Sequence, residues 1–245
     1  MSFDSYFVLA GLASLLVGLS KGGLPTVGML AVPLLSLFMS PVKAAVLLLP
    51  IYIISDVVSV WLYRKDFSAP NLKILIPAGV LGVFMGWLTA SFTSDSAVKL
   101  MIGCMGVGFC LNTWLRKTPQ DKQPVDVRKG WFWGTVAGFT SFISHAGGPP
   151  FQIYVLPQRL PKIQFAGTAT LLFAVINAAK VWPYQLLQPY SYDDLMRAAD
   201  LVPFALVGTV LGAYITKKIA DVWFYRLVQT GLFLVSLKLI ADVVL

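Results

Sequence analysis

The chain is 245 residues long, 57% hydrophobic and only 12% charged, with a mean hydropathy of +0.76. A soluble domain of that size needs far more surface charge, so the bilayer is the expected solvent and the chain reads as an integral, polytopic all-α membrane protein. The net charge of +8 comes from Lys and Arg scattered over short loops, with no basic helix or tail. That pattern points to membrane topology and away from a nucleic-acid partner.

Apolar runs between charged or proline-rich breaks give ten hydrophobic segments: 3–20, 24–39, 42–62, 70–92, 96–115, 130–144, 149–158, 163–182, 198–217 and 222–244. A helix needs about 20 apolar residues to cross the hydrocarbon core. The second segment is short and the seventh too short to span alone. Segments one and two, and six and seven, are therefore either re-entrant pairs or broken spans. The start, "MSFDSYFVLAGL", carries Asp4 and no basic n-region, so it does not read as a cleaved signal. Cys104 and Cys110 share one apolar segment and suggest packing, with no disulfide framework. No metal site and no cofactor is expected.

The longest hydrophilic stretch, "RKTPQDKQPVDVRKG", divides the chain. Three regions follow: a first transmembrane repeat over 1–115, a linker over 116–129, and a second repeat over 130–245. Pro77, Gly82 and Gly86 recur as Pro203, Gly208 and Gly212, and Gly22-Gly23 recur as Gly147-Gly148. Asp95 before the fifth segment matches Asp221 before the tenth. These landmarks keep their order at a nearly constant offset, which indicates internal duplication. Each half carries five segments, or three spans plus one Gly-Gly/Pro broken or re-entrant pair. Either count is odd, so the second repeat enters the bilayer inverted. With both termini extracytoplasmic, the cytoplasmic side receives Arg64, Lys65, Lys73, the basic linker, Arg159, Lys162, Lys217 and Lys218. The outer side receives Lys43, Lys99, Arg197 and the acidic Asp193, Asp194 and Asp200, as the positive-inside bias requires.

The two breaks, "LSKGGLPTVG" and "ISHAGGPPFQ", then meet near the midplane, where transporters of this kind hold substrate. Glycine lets a ligand or another chain approach closely, and proline suits the first turn of a new helix. Pro25 and Pro149 therefore read as starts of half-helices whose free N–H groups and dipoles face an anion. Ser20, Lys21, Gly22, Gly23, Ser144, His145, Gly147, Gly148 and Gln152 surround them, a set suited to a small divalent oxyanion. The plainer reading of such glycines is helix crossing, which fits Gly82, Gly86, Gly208 and Gly212 better.

"S-K-G-G" plus proline, the matching "S-H-A-G-G-P-P" after a basic central loop, and the short duplicated length resemble the TauE/SafE family of sulfite exporters and sulfonate permeases. The resemblance implies a bacterial inner-membrane permease for a sulfur-containing anion such as sulfite, sulfoacetate or another sulfonate. It leaves substrate, direction, coupling ion and oligomeric state open.

Other residues have two readings each. Lys21 either snorkels to a surface or faces substrate. His145, the only histidine, either makes a structural hydrogen bond or serves proton coupling. Asp56, deep in its segment, is a candidate for carrying a proton or pairing with a lysine. Its counterpart stretch offers Asn177 as a donor to substrate, and Lys180. Lys180 stands close to Pro183 at the expected outer edge, where it snorkels if it is not an ion-coupling group. No G-x-x-x-x-G-K-[ST] motif occurs, so a secondary transporter driven by gradients is the expected function. The alternatives are an anion channel on the same repeat or a membrane-embedded enzyme, for which one histidine gives little material.

Overall fold

The computed structural model describes residues 3–25, 27–35, 39, 41–90, 92, 94–115 and 122–244. Described residues form ten α-helices and no strand: α1 Phe3–Lys21, α2 Ala31–Leu35, α3 Pro41–Tyr63, α4 Ala69–Thr89, α5 Asp95–Leu115, α6 Val127–Ser144, α7 Gly148–Val155, α8 Lys162–Leu187, α9 Tyr192–Lys218 and α10 Asp221–Val244. Short 3-10 turns at Val27–Leu30 and Leu156–Gln158 flank α2 and α7. Every apolar segment expected from the sequence carries a helix. Residues 116–121 of the linker, including the topology-bearing Arg116 and Lys117, lie outside the described residues. Its end differs from the sequence reading, because Asp126 accepts a bond from the Lys129 amide at 3.0 Å and caps α6, which begins at Val127.

Among the described residues, five helices are long and apolar enough to cross a membrane: α3 (from Lys43), α4, α8, α9 and α10. Pro50, Pro77, Pro183 and Pro203 all lie inside them, which neighbouring helices in a bilayer make tolerable. The chain is a multi-pass membrane protein. Its outer faces are apolar and exposed, with Phe84, Met85 and Leu88 on α4 and Val207, Val210 and Leu211 on α9, surface that lipid would cover.

Helices pair across the two halves of the chain. α1 packs on α9, α4 on α6, α5 on α10 and α3 on α8. Glycine makes the first two crossings close enough for backbone contact. A Cβ added to Gly18 or Gly208 would run into the carbonyl of Ala205 or Leu15, and one added to Gly82 or Gly138 into that of Thr135 or Gly79. Gly212 abuts the Leu19 carbonyl, and Gly86 meets the Phe142 side chain. The four small-xxx-small glycines thus pack helices, as their spacing suggests. α3 and α8 form the interior, each 56% buried over its apolar window against 28% for α10. Gly28, between α1 and α2, accepts a bond from Tyr52 of α3, and Gly147, between α6 and α7, lies against Phe173 of α8.

Candidate functional site

The second break is built by one unusual residue. His145 ends α6 in the left-handed region (φ 53°), its N–H still bonded to the Ser141 carbonyl at 3.0 Å. A non-glycine residue holds that conformation at a cost of about 1–3 kcal/mol. The turn carries the chain directly into α7, whose first turn contains Pro149 and Pro150. At the first break Gly22 and Gly23 follow α1, Gly23 with φ +115°, and beyond Pro25 the chain forms the 3-10 turn and then α2, described from Ala31 to Leu35.

Both breaks flank a chain of buried polar groups. The Lys21 ammonium lies 2.6 Å from Asp56 Oδ1, with both side chains nearly sealed from solvent. Asn177 donates its amide to Asp56 Oδ2 at 2.7 Å, and its Oδ1 accepts from Lys180 at 3.1 Å. Lys180 also donates to His145 Nδ1 at 3.1 Å, while His145 Nε2 lies 3.0 Å from the Ala45 carbonyl. A carbonyl only accepts, so Nε2 carries the proton and Nδ1 is the acceptor. The imidazole is thereby held neutral in one tautomer. Tyr52 stacks on it at 4.7 Å between centroids, lies beneath the Lys21 ammonium at 5.1 Å, and bonds the Gly28 carbonyl at 3.1 Å. Helices α1, α3, α6 and α8 each place at least one member of this chain.

Four of these groups, Lys21, Tyr52, His145 and Asn177, line a cavity of about 40 Å³ together with Ser20, Pro25, Gly28, Ser141, Gly148, Ala169, Thr170 and Phe173, and Asp56 and Lys180 stand behind them. Such a space holds a few waters or one small ion. A second, larger recess of about 560 Å³ is lined by residues including Lys43, Val46, Leu47, Asp194, Arg197 and Asp200. Val46 and Leu47 adjoin Ala45, so the His145–Ala45 bond stands beside that recess.

Several expected residues have other tasks. Gly22 is a packing residue, since an added Cβ would lie 2.5 Å from the Gly212 and Ala213 backbones. Gly147 is crowded by the Ala137 carbonyl and Phe173. Ser144 bonds the Thr140 carbonyl at 3.4 Å, and Ser141, one turn earlier, lines the cavity instead. Pro149 is not among the lining residues. Lys180 does not snorkel: it is fully buried, because α8 continues through Pro183 to Leu187 and leaves it about 10 Å inside the helix end. Gln152 is also fully buried, with neither side-chain polar atom partnered by protein. Its amide nitrogen lies 3.7 Å from where a Gly148 Cβ would stand. Tyr52 and Thr170 escaped the sequence reading. Their signal was spacing: Tyr52 and Asp56 lie one turn apart, and Thr170, Phe173, Asn177 and Lys180 follow a helical stripe.

Among the described residues no group of three or more His, Cys, Asp or Glu could hold a metal. No curated protein and no solved structure gives a significant match to the chain. A family model described as "Sulfite exporter TauE/SafE" matches residues 8–239. That match takes in both breaks and every member of the buried polar chain, and the chain belongs to the TauE/SafE sulfite exporter family of membrane transporters.

Proposed function

We propose that the protein is a secondary transporter of a small sulfur-containing anion, sulfite or a compact sulfonate, held at the cavity between the breaks. The observation that carries this reading is the buried chain Lys21–Asp56–Asn177–Lys180–His145 beside that cavity. Two ammonium groups inside an apolar bundle are expensive, and intramembrane charges mark substrate or ion paths. The unpartnered Gln152 amide and the N-terminus of α7 add donors suited to oxygen atoms. The small cavity favours sulfite over an aromatic sulfonate.

The pairing of α1 with α9 and of α4 with α6 supports two inverted repeats over 1–115 and 130–245, since an exchange of halves turns one pair into the other. In this arrangement Lys43 and Arg197 lie together on the outer recess, the side assigned to them by charge. The termini are then extracytoplasmic and the membrane is the bacterial inner membrane. The His145–Ala45 bond sits where an outer gate would close, and Asp56, His145 and Lys180 are the groups through which protons would couple to transport.

The test is thermal stability of purified protein against sulfite, sulfoacetate, sulfate, an aromatic sulfonate, acetate and chloride at matched ionic strength. A ligand at about 100 times its Kd adds about 2.7 kcal/mol to the folded state. Stabilisation by sulfite, absent in Lys180→Met, is expected. A response equal for all salts would remove the site.

A further inference from the structure

The site's charges are unevenly matched. Lys21 and Asp56 neutralise each other at 2.6 Å. Asn177 is neutral, and His145 is held neutral by the carbonyl at one nitrogen and the ammonium at the other. Among the described residues Lys180 forms no ion pair; its ammonium bonds only neutral acceptors. It is fully buried, so solvent does not screen it. With Lys180 protonated, the cluster carries one net positive charge.

From this count, and resting on the anion-site reading above, we infer that the cavity selects anions of a single negative charge. A monoanion beside Lys180 brings the buried cluster to neutrality. A dianion leaves one uncompensated negative charge in a low-dielectric interior, next to the Asp56 carboxylate, which is the arrangement burial penalises most. This revises the divalent oxyanion expected from sequence, where Lys21 counted as free for substrate. The ligand class is the hydrogensulfite or monosulfonate form, a pyramidal or tetrahedral sulfur centre with its charge shared among oxygens. Lys180 is not itself a lining residue; its charge stands directly behind His145 and Asn177, which line the cavity and which it bonds at 3.1 Å each.

Methanesulfonate and sulfate test this directly, since both are tetrahedral and at neutral pH they carry one and two charges. Their dissociation constants would be measured on the purified full chain at fixed pH and ionic strength. Wild type is expected to bind methanesulfonate at least ~10-fold more tightly than sulfate. Asp56→Asn raises the cluster's charge by one and should move the ratio toward sulfate by a similar factor. The double variant Lys21→Met/Asp56→Asn removes the neutral pair, keeps the single positive charge and should retain the wild-type preference. Lys180→Met should lose both anions. A wild-type preference for sulfate, lost in Lys180→Met, would overturn the charge inference and leave the anion site standing. If neither probe binds wild type, the site reading fails and takes this inference with it. The wild-type ratio needs no variant to fold.

Discussion

The two Gly-Gly breaks look alike in sequence and do different work. At the first, Gly22 lets α1 meet α9 backbone to backbone, and the break contributes its cation from the last turn of α1, where Lys21 pairs with Asp56. At the second, the left-handed His145 turns the chain into α7 and contributes a neutral ring, while the cation comes from Lys180 in the middle of α8. The first half of the chain thus supplies a neutral ion pair, and the second supplies the charge in excess.

Glycine substitutions break the comparison most sharply. Gly22→Ala places a methyl 2.5 Å from the α9 backbone and is expected to destabilise by more than about 3 kcal/mol, seen as early thermal unfolding or failure to purify. Gly148→Ala meets the Pro25 carbonyl at 3.2 Å and should lose less than about 1.5 kcal/mol. Because Gly148 lines the cavity, that variant should lower anion flux at least ~10-fold while it still folds.

The ion pair comes next. Asp56→Ala strands Lys21 in the interior and should destabilise by about 3–5 kcal/mol. Combining it with Lys21→Met should recover most of that loss, and a double-mutant cycle on unfolding midpoints would measure the recovery. His145→Asn keeps a residue tolerant of the left-handed conformation but forfeits the bonds to Ala45 and Lys180. A stability change of about 1–2 kcal/mol is expected, with a much larger loss of flux. Gly108 marks the small end of the scale. An added Cβ there meets nothing within 4 Å, so Gly108→Ala in α5 should stabilise by about 0.5–1 kcal/mol without changing transport.

Much of the fold was legible because a bilayer punishes polar backbone and charge, so segment limits show in composition alone. The ten apolar runs coincide with helices for that reason. The site was legible only in outline. Asp56 announced itself as a carboxylate in an apolar run and Lys21 as a cation beside a break, but their pairing joins α1 to α3 through tertiary packing that no local pattern encodes. Lys180 was misplaced because Pro183 resembled a helix end, whereas α8 runs through it. Ser141, three residues before Ser144 on α6, lines the cavity, while Ser144 bonds back to the Thr140 carbonyl. The four-residue step from Tyr52 to Asp56 and the stripe from Thr170 to Lys180 were readable and went unread, since attention to the glycines hid the periodicity beside them.

The most direct measurement is uptake of radiolabelled sulfite into proteoliposomes containing wild type or Lys180→Met, each first shown to unfold cooperatively. An anion held in the cavity by the charge of Lys180 behind it predicts saturable flux in wild type and at least a ~100-fold loss in the variant. Equal flux in the two would contradict it and place the transport path elsewhere in the bundle.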